Sequence, residues 1–81
     1  MGYRMPKAYV LINVDAGYEE LVLQEIKNVE GVKEAYVSYG VYDLMVKIAA
    51  ETMEQLKELI SNRLRTSKNV RSTLTLILTE E

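Results

Sequence analysis

Residues 8–14, Ala-Tyr-Val-Leu-Ile-Asn-Val, form a compact run of β-forming side chains closed by Asp15-Ala16-Gly17. That length and that stop predict a strand. Ala8, Val10, Ile12 and Val14 fall on one face, Tyr9, Leu11 and Asn13 on the other. Two of the latter three are also apolar, so the strand needs cover on both sides. The period then lengthens. Over 18–30, Tyr18, Leu21, Val22, Ile26 and Val29 recur at helical spacing, with Glu19 and Glu20 in the first turn where the helix dipole favours carboxylates. Gly31 suits a left-handed cap.

Alternation returns over 32–39, where Ala35, Val37 and Tyr39 oppose Glu34, Tyr36 and Ser38. Gly40-Val41 reads as the turn of a hairpin, and a third strand covers about 42–49. Leu44, Val46 and Ile48 share one face, and Met45, Lys47 and Ala49 the other. Thr52-Met53-Glu54-Gln55 fits a capping box opening a second helix. Its buried stripe is Met53, Leu56, Leu59, Ile60 and Leu64, and Arg63, Arg65 and Lys68 gather near its C-terminal end. The last strand runs over about 70–79, with Val70, Ser72, Leu74, Leu76 and Leu78 opposing Arg71, Thr73, Thr75, Ile77 and Thr79. Residues 1–6 and Glu80-Glu81 read as frayed ends.

The order β-α-β-β-α-β predicts an α+β ferredoxin-like fold: a four-stranded antiparallel sheet with two helices on one face. The two halves echo each other, each placing a small polar residue and a valine (Gly31-Val32, Asn69-Val70) before a strand. Both helices cover one sheet face, so Tyr9, Leu11, Tyr36, Met45 and Ile77 are expected to need a partner sheet, most simply a second copy.

Composition narrows the chemistry. Eighty-one residues make one domain with a thin core. The absence of Cys and His removes disulfides, the usual zinc and haem ligand sets, thiol nucleophiles and the commonest neutral-pH general base. A net charge of −2 supplies no field for nucleic acid or an anionic membrane. No apolar run is long enough to span a bilayer, and there is no signal-peptide core. A cytoplasmic module is the expected setting, with no cofactor and no metal.

The segment 36–44 holds three of the six tyrosines and the acidic Asp43. A carboxylate there can accept from an ammonium group, while turn amides near Gly40 can receive a carboxylate. Asp43 can equally bond neighbouring turn amides. Thr73 and Thr75 share a face of the last strand; their hydroxyls suit a ligand, and their β-propensity suits a sheet. The tyrosines read as half-buried sheet residues rather than base-stacking platforms, since the strand around them is acidic and aliphatic. The basic cluster of Arg63, Arg65, Lys68 and Arg71 reads as helix capping.

Taken together, Gly31-Val32, Gly40-Val41-Tyr42-Asp43 and Val70-Arg71-Ser72-Thr73-Leu74-Thr75 resemble the ligand-sensing C-terminal domain of Lrp/AsnC-type transcriptional regulators, the RAM domain, over a single unit at 7–79. The resemblance implies dimers whose sheets pack face to face, assembled into octamers or similar rings. It also implies a non-catalytic role, with an amino acid effector bound where dimers meet. Carried over, the effector site comprises Gly40, Tyr42 and Asp43, joined by Thr73 and Thr75 of a neighbouring subunit. Family regulators place a helix-turn-helix domain first. Only seven residues precede the first strand here, so a stand-alone form without direct nucleic-acid binding is expected, one that co-assembles with full-length regulators. Three alternatives compete. An ACT-like regulatory subunit of a metabolic enzyme would want a Gly-rich turn after the first strand, where only Gly17 stands. A small dimeric α/β-barrel enzyme commonly leans on His. An acylphosphatase-like hydrolase needs an Arg in a phosphate loop that Asp15-Ala16-Gly17-Tyr18 lacks.

Overall fold

The computed structural model describes residues 5–78; Thr79, Glu80-Glu81 and most of the expected N-terminal fray lie outside them. Strand β1 (Lys7–Val14) leads to helix α1 (Glu19–Lys27), strands β2 (Val32–Val37) and β3 (Leu44–Ala49), helix α2 (Met53–Leu59) and strand β4 (Val70–Leu78). The strand order is β2-β3-β1-β4, with every neighbouring pair antiparallel. This is the predicted ferredoxin-like α+β architecture.

Apolar period sets the layers. Ala8, Val10, Ile12, Leu44, Val46 and Ile48 are fully buried and form one cluster with Val22 and Ile26 of α1 and Leu56 and Leu64 from the α2 segment. Among the described residues the core contains no polar or charged side chain. Burial of each such Leu, Ile or Val contributes about 1.5–3 kcal/mol, so the helices are held on the sheet by a dry contact on a single face.

Helix α1 is narrower than its sequence period suggests. Val22, Leu23 and Ile26 face the sheet, whereas Tyr18 and Leu21 are 44% and 50% exposed. The helix axis is rotated toward Leu23, which takes the place expected of Leu21. Its end tightens: the Asn28 and Val29 amides donate three residues back, to Glu25 and Ile26. Gly31 closes this turn at φ +100°, where a Cβ would stand 2.8 Å from Leu59 Cδ2 and 3.2 Å from the Ala49 carbonyl oxygen.

Helix α2 opens as expected. The Thr52 hydroxyl accepts from the Gln55 amide at 3.1 Å, and the Gln55 side chain reaches back to the Glu51 amide at 3.2 Å. Met53, assigned to the buried stripe, is 41% exposed because it precedes the first contact with the sheet. Beyond Leu59 the chain widens into a π-helical turn, Ile60–Leu64, closed by the Arg65 amide donating to the Ile60 carbonyl at 2.9 Å. The turn into β4 passes through Asn69 at φ +73°, a conformation Asn tolerates better than most residues.

The uncovered face is built in rows. Tyr36, Met45, Leu11 and Leu74 lie side by side across the four strands, and Glu34, Lys47, Tyr9 and Leu76 make the next row. Leu74 and Leu76 are 43% and 48% exposed. Ile77 does not belong here. It pairs with the fully buried Ala8, which puts it on the helix side, where the helices do not reach the sheet edge. Val70 also changes side relative to the alternation. A register shift between Asn13 and Val14 pairs it with the buried Val14, and it packs against the core.

Candidate functional site

The strands β2 and β3 are joined by residues 38–43, longer than the two-residue turn expected at Gly40-Val41. Asp43 is the reason. Its amide donates to the Ile12 carbonyl at 2.9 Å, and its carboxylate Oδ2 accepts from the Val14 amide at 2.9 Å. Ile12 and Val14 present these groups on the same edge of β1, two residues apart. Asp43 therefore continues the β1–β3 contact past the last strand pair, Ile12–Leu44, with a side chain substituting for a backbone partner. Its own carbonyl accepts from the Ser38 amide at 2.7 Å and closes the loop.

Gly40 sits at the loop tip at φ +151°, with open space where a Cβ would point. Its neighbours Tyr39 and Val41 are 97% and 84% exposed, so the tip presents two apolar side chains to its surroundings. Tyr42 is half-buried between the tip and Asp43.

Two clefts flank the start of β4. One, about 340 Å³, is lined by Asn13, Val14, Asp43, Arg71 and Ser72. The second, about 520 Å³, lies between β4 and the π-helical turn; Thr73 and Thr75 line it with Ile60, Arg65, Val70 and Arg71. Within one chain Asp43 and the two threonines thus occupy separate clefts, and neither Gly40 nor Tyr42 lines either one. Arg71 and Ser72 border both. Thr73 and Thr75 pair with Ile12 and Val10 on the helix side of the sheet, half-buried where the helices stop short.

The residues that sequence reasoning missed are Asn13, Arg65, Arg71 and Ser72. Asn13 was visible as the polar member of an otherwise apolar face, and its side chain meets the Ser72 hydroxyl at 3.4 Å. The arginines were legible only as charge near a helix end. Among the described residues neither has a carboxylate partner within 4.0 Å; the ion pair present joins Lys47 and Glu34 on the open face, at 4.0 Å. Glu34 also accepts from the Tyr36 hydroxyl at 3.2 Å, and that bond and the carboxylate charge hold the Tyr36 phenol above its ordinary value of 10.0. Among the described residues no group of three or more His, Cys, Asp or Glu side chains is placed to hold a metal ion. Among the described residues no helix is long and apolar enough to cross a membrane.

A four-stranded antiparallel sheet with helices on one face and an uncovered, partly apolar far face defines the ferredoxin-like class of α+β domain. The family model for the Lrp/AsnC ligand binding domain matches residues 7–81, and the chain belongs to that family. A homocitrate synthase of Saccharolobus islandicus is 34% identical over 70 residues, covering 85% of this chain and 15% of the enzyme. An HTH-type transcriptional regulator of Pyrococcus furiosus is 29% identical over 73 residues, covering 86% of this chain and 49% of the regulator. The chain therefore spans about half of that regulator and a small part of that enzyme. The crystal structure of FFRP-DM1 superposes with a TM-score of 0.90 at 36% identity, over 93% of this chain and all of the other. The domain is thus of the kind found in transcription regulators.

Proposed function

We propose that this chain is a non-catalytic amino acid sensor that works in the cytoplasm by controlling assembly. Dimers form through the open sheet face, dimers join into a ring at the 38–43 loops, and an amino acid occupies the seam. In this reading Asp43 attracts the ligand ammonium, amides near Gly40 and Tyr42 receive its carboxylate, and Thr73 and Thr75 of a neighbouring subunit complete the enclosure. The observation that carries the reading is the loop 38–43 itself: Asp43 pins its base to β1 while Tyr39 and Val41 project from its tip. Exposed apolar side chains beside a fixed carboxylate suit a contact between subunits that encloses a small zwitterion. The partners that fit are further copies and full-length Lrp/AsnC-type regulators sharing the same surfaces.

Native mass spectrometry of the purified chain, with and without a pool of amino acids, tests the proposal. The expected result is an even-numbered assembly that carries the mass of an amino acid. A monomer with no added mass refutes it.

The similarity to part of a homocitrate synthase favours a second reading, in which the domain regulates a metabolic enzyme. Mixing the chain with a purified full-length Lrp/AsnC-type regulator or with a homocitrate synthase separates the two: co-assembly with the regulator supports the first, with the enzyme the second.

A further inference from the structure

We propose that the cleft beside β4 makes this domain selective for a small dicarboxylate, an amino acid with an acidic side chain, through Arg65 and Arg71. The inference deepens the sensor reading and rests on it for the ligand's ammonium and seam, but the arginine cleft belongs to one chain.

The placement of Arg65 follows from the π-helical turn. An α-helix advances about 100° per residue, so a residue five positions on stands about 140° round the axis and faces away. Here the Arg65 amide bonds the Ile60 carbonyl, five residues back, and the widened turn brings Ile60 and Arg65 to the same cleft. Inserted residues of this kind often occur where a helix serves a site. From the other wall, Arg71 and the half-buried Thr73 and Thr75 project along β4.

The lining matches one chemical class. At about 520 Å³ the cleft lies within the usual range for small-molecule sites, about 300–1,000 Å³. Among the described residues its lining has two guanidinium groups and no carboxylate, in a chain of net charge −2. Among the described residues neither arginine has an ion-pair partner, and neither threonine hydroxyl has a hydrogen-bond partner. Ile60 and Val70 add an apolar wall. Guanidinium groups bind carboxylates through paired hydrogen bonds, and the wall suits a short methylene chain, which inorganic phosphate lacks. Arg71 also borders the Asp43 cleft. The ammonium and α-carboxylate stay with Asp43 and the loop amides, and both arginines are left for the side-chain carboxylate.

The test is calorimetric titration of the full chain with L-glutamate, L-glutamine, glutarate and inorganic phosphate. Wild type, Arg65→Gln and Arg71→Gln are compared, with Arg63→Gln as a control of equal charge change outside this cleft. Glutamate is expected to bind at least about tenfold more tightly than glutamine, and each cleft variant to lose about tenfold for glutamate, the scale of one exposed charge-assisted contact. Arg63→Gln should bind like wild type. Equal binding of glutamate and glutamine, unaffected by either cleft variant, overturns the dicarboxylate assignment and leaves the sensor reading standing. Phosphate binding as tightly as glutamate also overturns it. Glutarate matching glutamate removes Asp43 from the ammonium while the arginine cleft stands. No binding by any of the four overturns the assignment, and the amino acid pool experiment then decides the sensor reading separately.

Discussion

Replacing Asp43 by alanine removes the group that ties the loop to β1. The Val14 amide loses the acceptor at 2.9 Å, and strand β3 offers no replacement because its last pair is Ile12–Leu44. A hydrogen bond to a charged group is worth about 1.5–3 kcal/mol. The contact is only part-buried, and solvent screening brings the expected loss to about 1–2 kcal/mol. For a domain of this size that lowers the melting midpoint by about 4–16 °C. Asp43→Asn keeps a carbonyl acceptor in place and should cost less than half as much. The assay is thermal and urea unfolding followed by circular dichroism, at one fixed protein concentration, because assembly shifts apparent stability by mass action. An alanine variant with the wild-type midpoint, or an asparagine variant no better than alanine, would refute the structural role. The two variants also separate folding from binding: Asn should restore stability and still bind an amino acid weakly, since it cannot balance an ammonium charge.

Gly31→Ala should destabilise by about 1–3 kcal/mol, because φ is +100° and the new Cβ meets Leu59 and the Ala49 carbonyl. Gly17→Ala, with φ +87° and open space around it, should cost less in the same melt. Leu74→Glu with Leu76→Glu places two charges in adjacent rows of the open face. The pair should leave the circular dichroism spectrum native and shift the light-scattering mass to the monomer; an unchanged mass would show that this face is not the contact. Tyr36 should titrate above 10.0 and Glu34→Gln should bring it down, read as phenolate absorbance against Tyr36→Phe. The direction follows from Glu34, which favours the protonated phenol; the contribution is present below the ordinary tyrosine value and lost as pH rises through the elevated one. The 81-residue chain at physiological salt should not retard a promoter fragment more than random DNA, since its charge of −2 offers phosphates no binding field.

Local chemistry decided much of this protein by itself. The elements, their order and the helix-facing side of β1 and β3 follow from periods of 2 and 3.6, because a side chain's direction is set by backbone geometry within a few residues. The Thr52–Gln55 cap and the positive-φ turn at Gly31 were equally legible, each being a short-range hydrogen-bond or steric requirement. The packing of layers was not. Periodicity states that Leu21 and Leu23 lie on different sides of α1, yet only contact with the sheet selected Leu23. Alternation along β4 is broken by a register shift at Asn13/Val14 that no local signal announces, and this shift turned Val70 toward the core. Ile77 was misassigned to the open face because the strand's alternation does not reveal which side the helices take. Asp43 looked the same in sequence whether its carboxylate met a turn amide, a ligand or, as the fold has it, a strand amide 29 residues away. Arg65 lines the cleft after a π-helical turn at Ile60–Leu64 that the helical period of the sequence does not announce. Faces are local properties of the backbone. Which faces meet, and which polar groups are left beside a cleft, are settled by contacts between residues far apart in the chain.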